Sequence, residues 1–341
     1  YQINMNFFVY LTLFFFSLNI NADEINLYTT RHYDSDIKLY KDFTKQTGIN
    51  VNIISGKAKP LEKRILEEGK SCKGDLFFLA DAGRLYSSQK NGVFKKVSSK
   101  VLEKKIPAQF RSDYWFGITK RARIIFYNPK KISSEDLVNL SYEDLTDNRF
   151  NKSIAIRQSN NVYNQSLIAS MIENHGLEHT RSWTKKFVKN FSRKPKGNDR
   201  AQILSVASGE SKLAIANTYY YALMLSGKKG KEQKEAAKKV RPFFPNQQNR
   251  GTHMNISGIG VLKHSPNPDN AIKFIEFLLT HAAQEHMVNN TFEYPMIESV
   301  DPPSLITKMG GSFKQDNITN VSSYGKWQTD AFKIMQEAGW N

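Results

Sequence analysis

The sequence predicts an α/β protein built as two lobes, and three observations carry that expectation. Its 341 residues exceed what one compact core usually organises. Short apolar strand-like runs alternate with amphipathic helical stretches, the pattern of an open α/β sheet. Two β-rich stretches, residues 114–128 and 255–262, separate the alternating series and are placed to cross between lobes.

The elements follow in order. Residues 24–30 read as a strand, and Asp34 or Ser35 caps a helix carrying Ile37, Tyr40 and Phe43 on one side, which Gly48 ends. Residues 50–54 are again strand-like, and a helix runs on through Leu61, Ile65 and Leu66. Strand 75–80 and helix 83–90 complete the first series. After the long β stretch, with Pro129 as its stop, a second series begins with strand 153–156 and helix 162–174. Helices through Trp183 and Phe187 and through Ile203 lead to strand 212–216 and helix 218–225. The lysine-rich residues 228–239 read as a solvated face, and 268–280 as an amphipathic helix after the second crossing. The division expected is an N-lobe of 23–120 and 255–300, and a C-lobe of 121–254 with C-terminal helices in 301–341.

Composition narrows the function classes. With 40% hydrophobic and 24% charged residues the chain has enough apolar material to fold throughout. The net charge of +17 is spread over every segment, with no basic helix, aromatic RNA-binding motif or zinc module, which argues against nucleic acid as a partner. Cys72 is the single cysteine, so neither an intramolecular disulfide nor a cysteine metal cluster is available, and it reads as a packing residue. Residues 1–22 read as a secretory signal: the apolar run 7–20 is too short to span a bilayer comfortably, and Ala22 precedes a mature start at Asp23. No Lys or Arg precedes that run.

The chemistry centres on tyrosine. Tyr33, Tyr163 and the run Tyr219-Tyr220-Tyr221 each follow a strand-like stretch and open a helix. Loops at the carboxyl ends of strands gather where open α/β sheets bind ligands. A free phenol titrates near pH ~10, but a bound cation of high charge favours the phenolate and displaces the proton. Several such hard oxygen donors suit a trivalent ion such as Fe(III). Three phenolates neutralise that ion and a fourth leaves one surplus negative charge, which Arg31 or Arg123 can balance. His32 offers a borderline nitrogen better suited to Fe(II), or a hydrogen bond behind the ligands. Helix N-termini at these loops can also anchor a small anion. Consecutive helical side chains diverge, so Tyr221 is expected in packing while Tyr219 and Tyr220 face the cleft. The plainer alternative, a half-buried packing tyrosine at each helix start, stands beside this reading.

Thr30-Arg31-His32-Tyr33, the stretch Ser159-Asn160-Asn161-Val162-Tyr163-Asn164-Gln165-Ser166 and Ala216-Asn217-Thr218-Tyr219-Tyr220 resemble the ferric-iron substrate-binding proteins of ABC importers. The likeness extends to Asp81-Ala82-Gly83-Arg84 and Lys196-Gly197-Asn198-Asp199-Arg200. It implies a two-lobed periplasmic binding protein type II fold with two β-strand hinge crossings. It also implies Tyr33, Tyr163, Tyr219 and Tyr220 as metal ligands, His32 as a further one, and lobe closure. The transported ligand would be Fe(III) or Fe(II), with a carboxylate or a small synergistic anion completing the shell in some relatives. The expected setting is the periplasm, as a monomer that serves an ABC importer permease in the inner membrane.

Other motifs lead elsewhere. His175-Gly176-Leu177-Glu178-His179 has a metalloprotease spacing, but Gly176 is expected to end the helix that must carry both histidines. Ser87-Ser88-Gln89-Lys90 lacks its companion motifs, and Gly258-Ile259-Gly260 lacks the rest of a dinucleotide fingerprint. No catalytic constellation remains, so the chain is not expected to be an enzyme. The alternatives are a binding protein for a small organic cation, a polyamine or a thiamine-like ligand, and a secreted hydrolase using His175 and His179.

Overall fold

The computed structural model describes residues 23–341, so the signal expected at 1–22 lies outside the described residues. The chain begins with β1 (Glu24–Thr29), α1 (Asp34–Thr47), β2 (Asn50–Ser55), α2 (Ala58–Glu68), β3 (Leu76–Ala80), α3 (Ala82–Lys90) and α4 (Lys100–Lys105). The long strand β4 (Phe116–Tyr127) leads to β5 (Ile154–Ala155), α5 (Val162–His175), α6 (Leu177–Val188) and α7 (Asp199–Ser208). Next come β6 (Leu213–Asn217), α8 (Thr218–Leu225), α9 (Lys231–Lys238) and β7 (Arg241–Phe243). β8 (Met254–Val261), α10 (Pro268–Leu278), α11 (His281–Thr291) and β9 (Tyr294–Pro295) follow, and α12 (Ser304–Gly310), α13 (Ser322–Lys326) and α14 (Gln328–Glu337) close the chain.

The sheet order is β2-β1-β3-β8-β4-β6-β5, with β7 and β9 also paired to β4. β4 belongs to two halves. From Phe116 to Ala122 it runs antiparallel to β8, and from Arg123 to Tyr127 it pairs with β6 and β7. Twelve residues suffice for this because an extended chain advances about 3.3 Å per residue. β8 enters the first half directly after His253, whose carbonyl accepts from the Arg123 N–H at 3.2 Å. The long strand β4 therefore runs through the junction, and the chain entering β8 crosses beside it at His253. In the first half β1 is parallel to β2 and β3, and in the second β5 is parallel to β6, so helices must connect them.

Each half contributes its own aromatic group to one continuous core. On α1, Leu39, Tyr40 and Phe43 are buried at helical spacing, and Phe43 meets Phe274 of α10 edge-on at 5.1 Å between ring centroids. Gly48 stops α1 by adopting φ 75°, with its N–H donating to the Thr44 carbonyl. In the second half Trp183 stacks on Phe187 at 4.5 Å, and Trp340 from the end of the chain meets Phe187 and Phe191 edge-on. Each ring of this size contributes about 1.5–3 kcal/mol by burial. α13 packs against α3 of the first half and α5 of the second, so the C-terminal helices tie the halves together.

Candidate metal centre

Three loops deliver tyrosines to one place. Tyr33 follows β1 and stands just before α1 in extended conformation, its carbonyl accepting from the Asp36 N–H at 3.0 Å. Tyr163 is the second residue of α5, whose start is capped by the Asn161 side chain accepting from the Asn164 N–H. Tyr219 and Tyr220 occupy the first turn of α8, which begins at the end of the wholly buried strand β6.

Arg123 sets the second and third of these loops. Its guanidinium donates to Asn164 Oδ1 at 2.6 Å, to Asn217 Oδ1 at 2.9 Å and to Asp199 Oδ2 at 3.1 Å. Asp199 in turn accepts from the Asn217 N–H at 2.7 Å. One buried cation thereby joins the starts of α5, α7 and α8 behind the tyrosines. Arg123 is not in the cleft wall, whereas Arg121, two residues earlier on the same face of β4, lines it together with Arg31.

The cleft has a volume of about 680 Å³, and Arg31, His32, Tyr33, Tyr163, Tyr219 and Tyr220 all line it. The Tyr219 hydroxyl lies 3.4 Å from that of Tyr163, and the rings of Tyr219 and Tyr220 are 4.3 Å apart. The Arg121 guanidinium faces the rings of Tyr163 and Tyr219 at 5.9 and 5.6 Å. Tyr33 is 38% exposed across the opening, its ring 4.8 Å from the Arg31 guanidinium. Tyr221 turns away, its hydroxyl donating to the carbonyls of Ala237 and Val240.

Glu293 completes the wall. This buried carboxylate accepts from Thr119 Oγ1 at 2.5 Å and pairs with Arg31 at 3.3 Å and Arg121 at 3.5 Å. Burial would raise its pKa, but Arg121 and Arg31 outweigh that and hold it ionised. Burial would equally lower that of Arg121, but Glu293 and then the neighbouring phenols keep it protonated. Arg31 is also paired to Asp36 at 2.8 Å. The guanidinium–carboxylate pairs cancel, but Lys228 and Lys229 also line the cleft against Asp34, so its lining keeps a positive excess.

Three of the phenols, those of Tyr33, Tyr219 and Tyr220, are held neutral. Desolvation within the cleft pushes Tyr33 up to about 12, with Glu293 adding and Arg31 and Arg121 opposing. Burial, then the nearby phenols of Tyr163 and Tyr220, lifts Tyr219 well above the usual value. Burial and Tyr163 lift Tyr220 likewise. Among the described residues no cluster of three or more His, Cys, Asp or Glu could hold a metal. His175 and His179 lie on separate helices, broken at Gly176 with φ 84°, and His175 Nε2 is engaged by Glu143 at 2.8 Å.

Residues 75–318 match the family model described as bacterial extracellular solute-binding protein. The match covers more than half of the chain. The chain belongs to that family. This solute-binding protein is 46% identical to "Iron uptake protein A1" of Synechocystis sp., over 93% of this chain and 87% of that relative. It superposes with a TM-score of 0.90 on the Trichodesmium protein IdiA (FutA), solved in complex with iron and citrate ligands. There the identity is 48% and the cover 93% of this chain and 100% of that one. The ferric binding protein of Campylobacter jejuni superposes with a TM-score of 0.84 at 38% identity, over 93% of this chain and 100% of that one. The solute-binding protein has their two-lobed type II fold, as the sequence predicts.

Proposed function

We propose that this solute-binding protein captures Fe(III) in the cleft, with the phenolates of Tyr33, Tyr163, Tyr219 and Tyr220, and delivers it to the permease of an ABC importer. The observation that carries this is the convergence of tyrosines from three separate loops on one cleft. Relatives named for iron uptake and ferric binding support it.

Ferric rather than ferrous iron follows from the donors, because phenolate oxygen is hard and anionic. Three phenolates neutralise the ion, and the positive excess of the lining, Lys228 and Lys229 included, offsets a fourth. His32 lines the same cleft and offers a fifth donor. Arg121 Nε is buried with no partner, so a small anion bound beside the iron has a donor waiting for it. An organic cation fits less well: the buried carboxylate of the wall, Glu293, is already committed to Arg31 and Arg121.

The working cycle follows from the two halves. Residues 23–120 with 255–300 form one lobe, and 121–254 with 301–341 the other, so Tyr33 and the remaining ligands approach from opposite sides. Iron stabilises the closed arrangement only because it binds that arrangement more tightly, and the permease reads the resulting shape. The protein acts without catalysis, as a monomer in the periplasm, exported by the signal in residues 1–22.

Addition of ferric citrate to the purified protein tests this directly. A visible phenolate-to-iron charge-transfer band is expected, and its absence would overturn the reading.

A further inference from the structure

Asp81 follows β3 as the N-cap of α3 and is fully buried, with φ 86°, a backbone conformation that residues other than glycine rarely adopt. Its carboxylate takes bonds from neutral donors contributed by three elements. The Gly83 N–H donates at 2.7 Å within the first turn of α3, and Asn255 Nδ2 on β8 donates at 2.8 Å. Ser166 Oγ on α5 donates across the junction between the halves, 2.8 and 2.9 Å from the two oxygens. Gly83 is shaped to this meeting: a Cβ there would stand 2.9 Å from Asp81 Oδ1 and 3.5 Å from Ser166 Oγ. Ser166 lies three residues after Tyr163, on the same face of α5 one turn along.

We propose that Asp81 is the pivot about which the two halves close, and that through Ser166 it fixes where the Tyr163 phenol stands. The strained backbone aims the carboxylate at α5, and the absence of a side chain at Gly83 lets α3 and α5 approach it together. Asp81 and Ser166 are positioning residues that touch no cargo. The part of this inference that concerns Tyr163 rests on the iron reading; the pivot itself does not.

The test uses Ser166→Ala and Ser166→Thr in the full protein. Removing one hydrogen bond to a buried carboxyl group is expected to speed iron release to a competing chelator about tenfold and to shift the charge-transfer band, with the threonine variant restoring both. Small-angle scattering of the iron-free Ser166→Ala protein is expected to show a larger radius of gyration than the parent. Release within twofold of the parent, with superimposable scattering, would overturn the proposal even if thermal stability fell, leaving Asp81 as a helix cap only. If the parent protein gives no band with ferric citrate, the iron reading fails alone, and the iron-free scattering still decides the pivot. Should Ser166→Ala not fold, Ser166→Cys, of similar size but a weaker donor, is read by the same measurements.

Discussion

The hydroxyls of Tyr163 and Tyr219 stand 3.4 Å apart although 56 residues separate them in the chain. Two neutral phenols tolerate that distance, since one donates to the other. Two phenolates do not, unless a cation lies between them. Burial and the neighbouring Tyr163 phenol lift the Tyr219 pKa, so Tyr219 depends on a nearby cation for its ionised form.

The first prediction follows from that pair. Tyr219→Phe removes one oxygen donor and leaves the ring packing, so the fold should survive. Losing a residue that merely supports a metal ligand costs about 10–100-fold in affinity, so losing a ligand should cost at least about 100-fold. Competition against a chelator of known affinity measures it. An affinity unchanged within error would remove Tyr219 from the ligand set.

Arg123 supplies the second. Replacing it with leucine leaves Asp199 buried beneath the cleft with one cationic partner, Arg157 at 3.3 Å, instead of two. Breaking a buried pair costs about 3–5 kcal/mol, and the surviving Arg157 contact puts the expected loss near the lower end. Urea unfolding of iron-free Arg123→Leu reads it. A loss below about 1 kcal/mol would show that the Asn164–Asn217–Asp199 network does not need its central cation.

The arginines also show where sequence reading stops. The alternating strands, the helix starts and the tyrosines at loop openings are local patterns, and Thr218–Leu225 is predicted to the residue. Arg121 and Arg123 share one face of β4 because strand side chains alternate, and no local pattern tells which reaches the cleft and which reaches backward. Glu293 gave no signal at all, since its partner Arg31 lies 262 residues away and the segment around it resembles any helix-to-strand connection. The short strands β7 and β9 were equally silent, being too brief to show a period.

The third prediction concerns protons. With Tyr33 at about 12 and Tyr219 and Tyr220 raised, these phenols are protonated in the iron-free protein near neutral pH. Each one that coordinates must lose its proton, so binding should release about three to four protons per iron and weaken as pH falls. Glu293 is held ionised by Arg121 and Arg31, so it does not buffer this release. Titration with ferric nitrilotriacetate in weak buffer, corrected for the chelator, counts the protons. Release of none would mean that no phenol ionises on binding.

The fourth prediction lies away from the cleft. Glu143 accepts from Arg250 at 2.5 Å, from Asn246 at 2.8 Å, and meets His175 Nε2 at 2.8 Å. Burial would raise its pKa, but Arg250 and the hydrogen bonds outweigh that and hold it at about 2, against an ordinary 4.5. Because the folded value is the lower one, its stabilisation is complete above pH 4.5 and drains away as pH falls toward 2. Those two limits correspond to at most about 3 kcal/mol. Glu143→Gln should therefore be less stable than the parent at neutral pH and lose less stability between pH 4.5 and 2. Urea midpoints collected across that window decide it: parallel acid limbs for the two proteins would mean that this carboxylate contributes nothing to acid sensitivity. The same contact engages the histidine that ends α5.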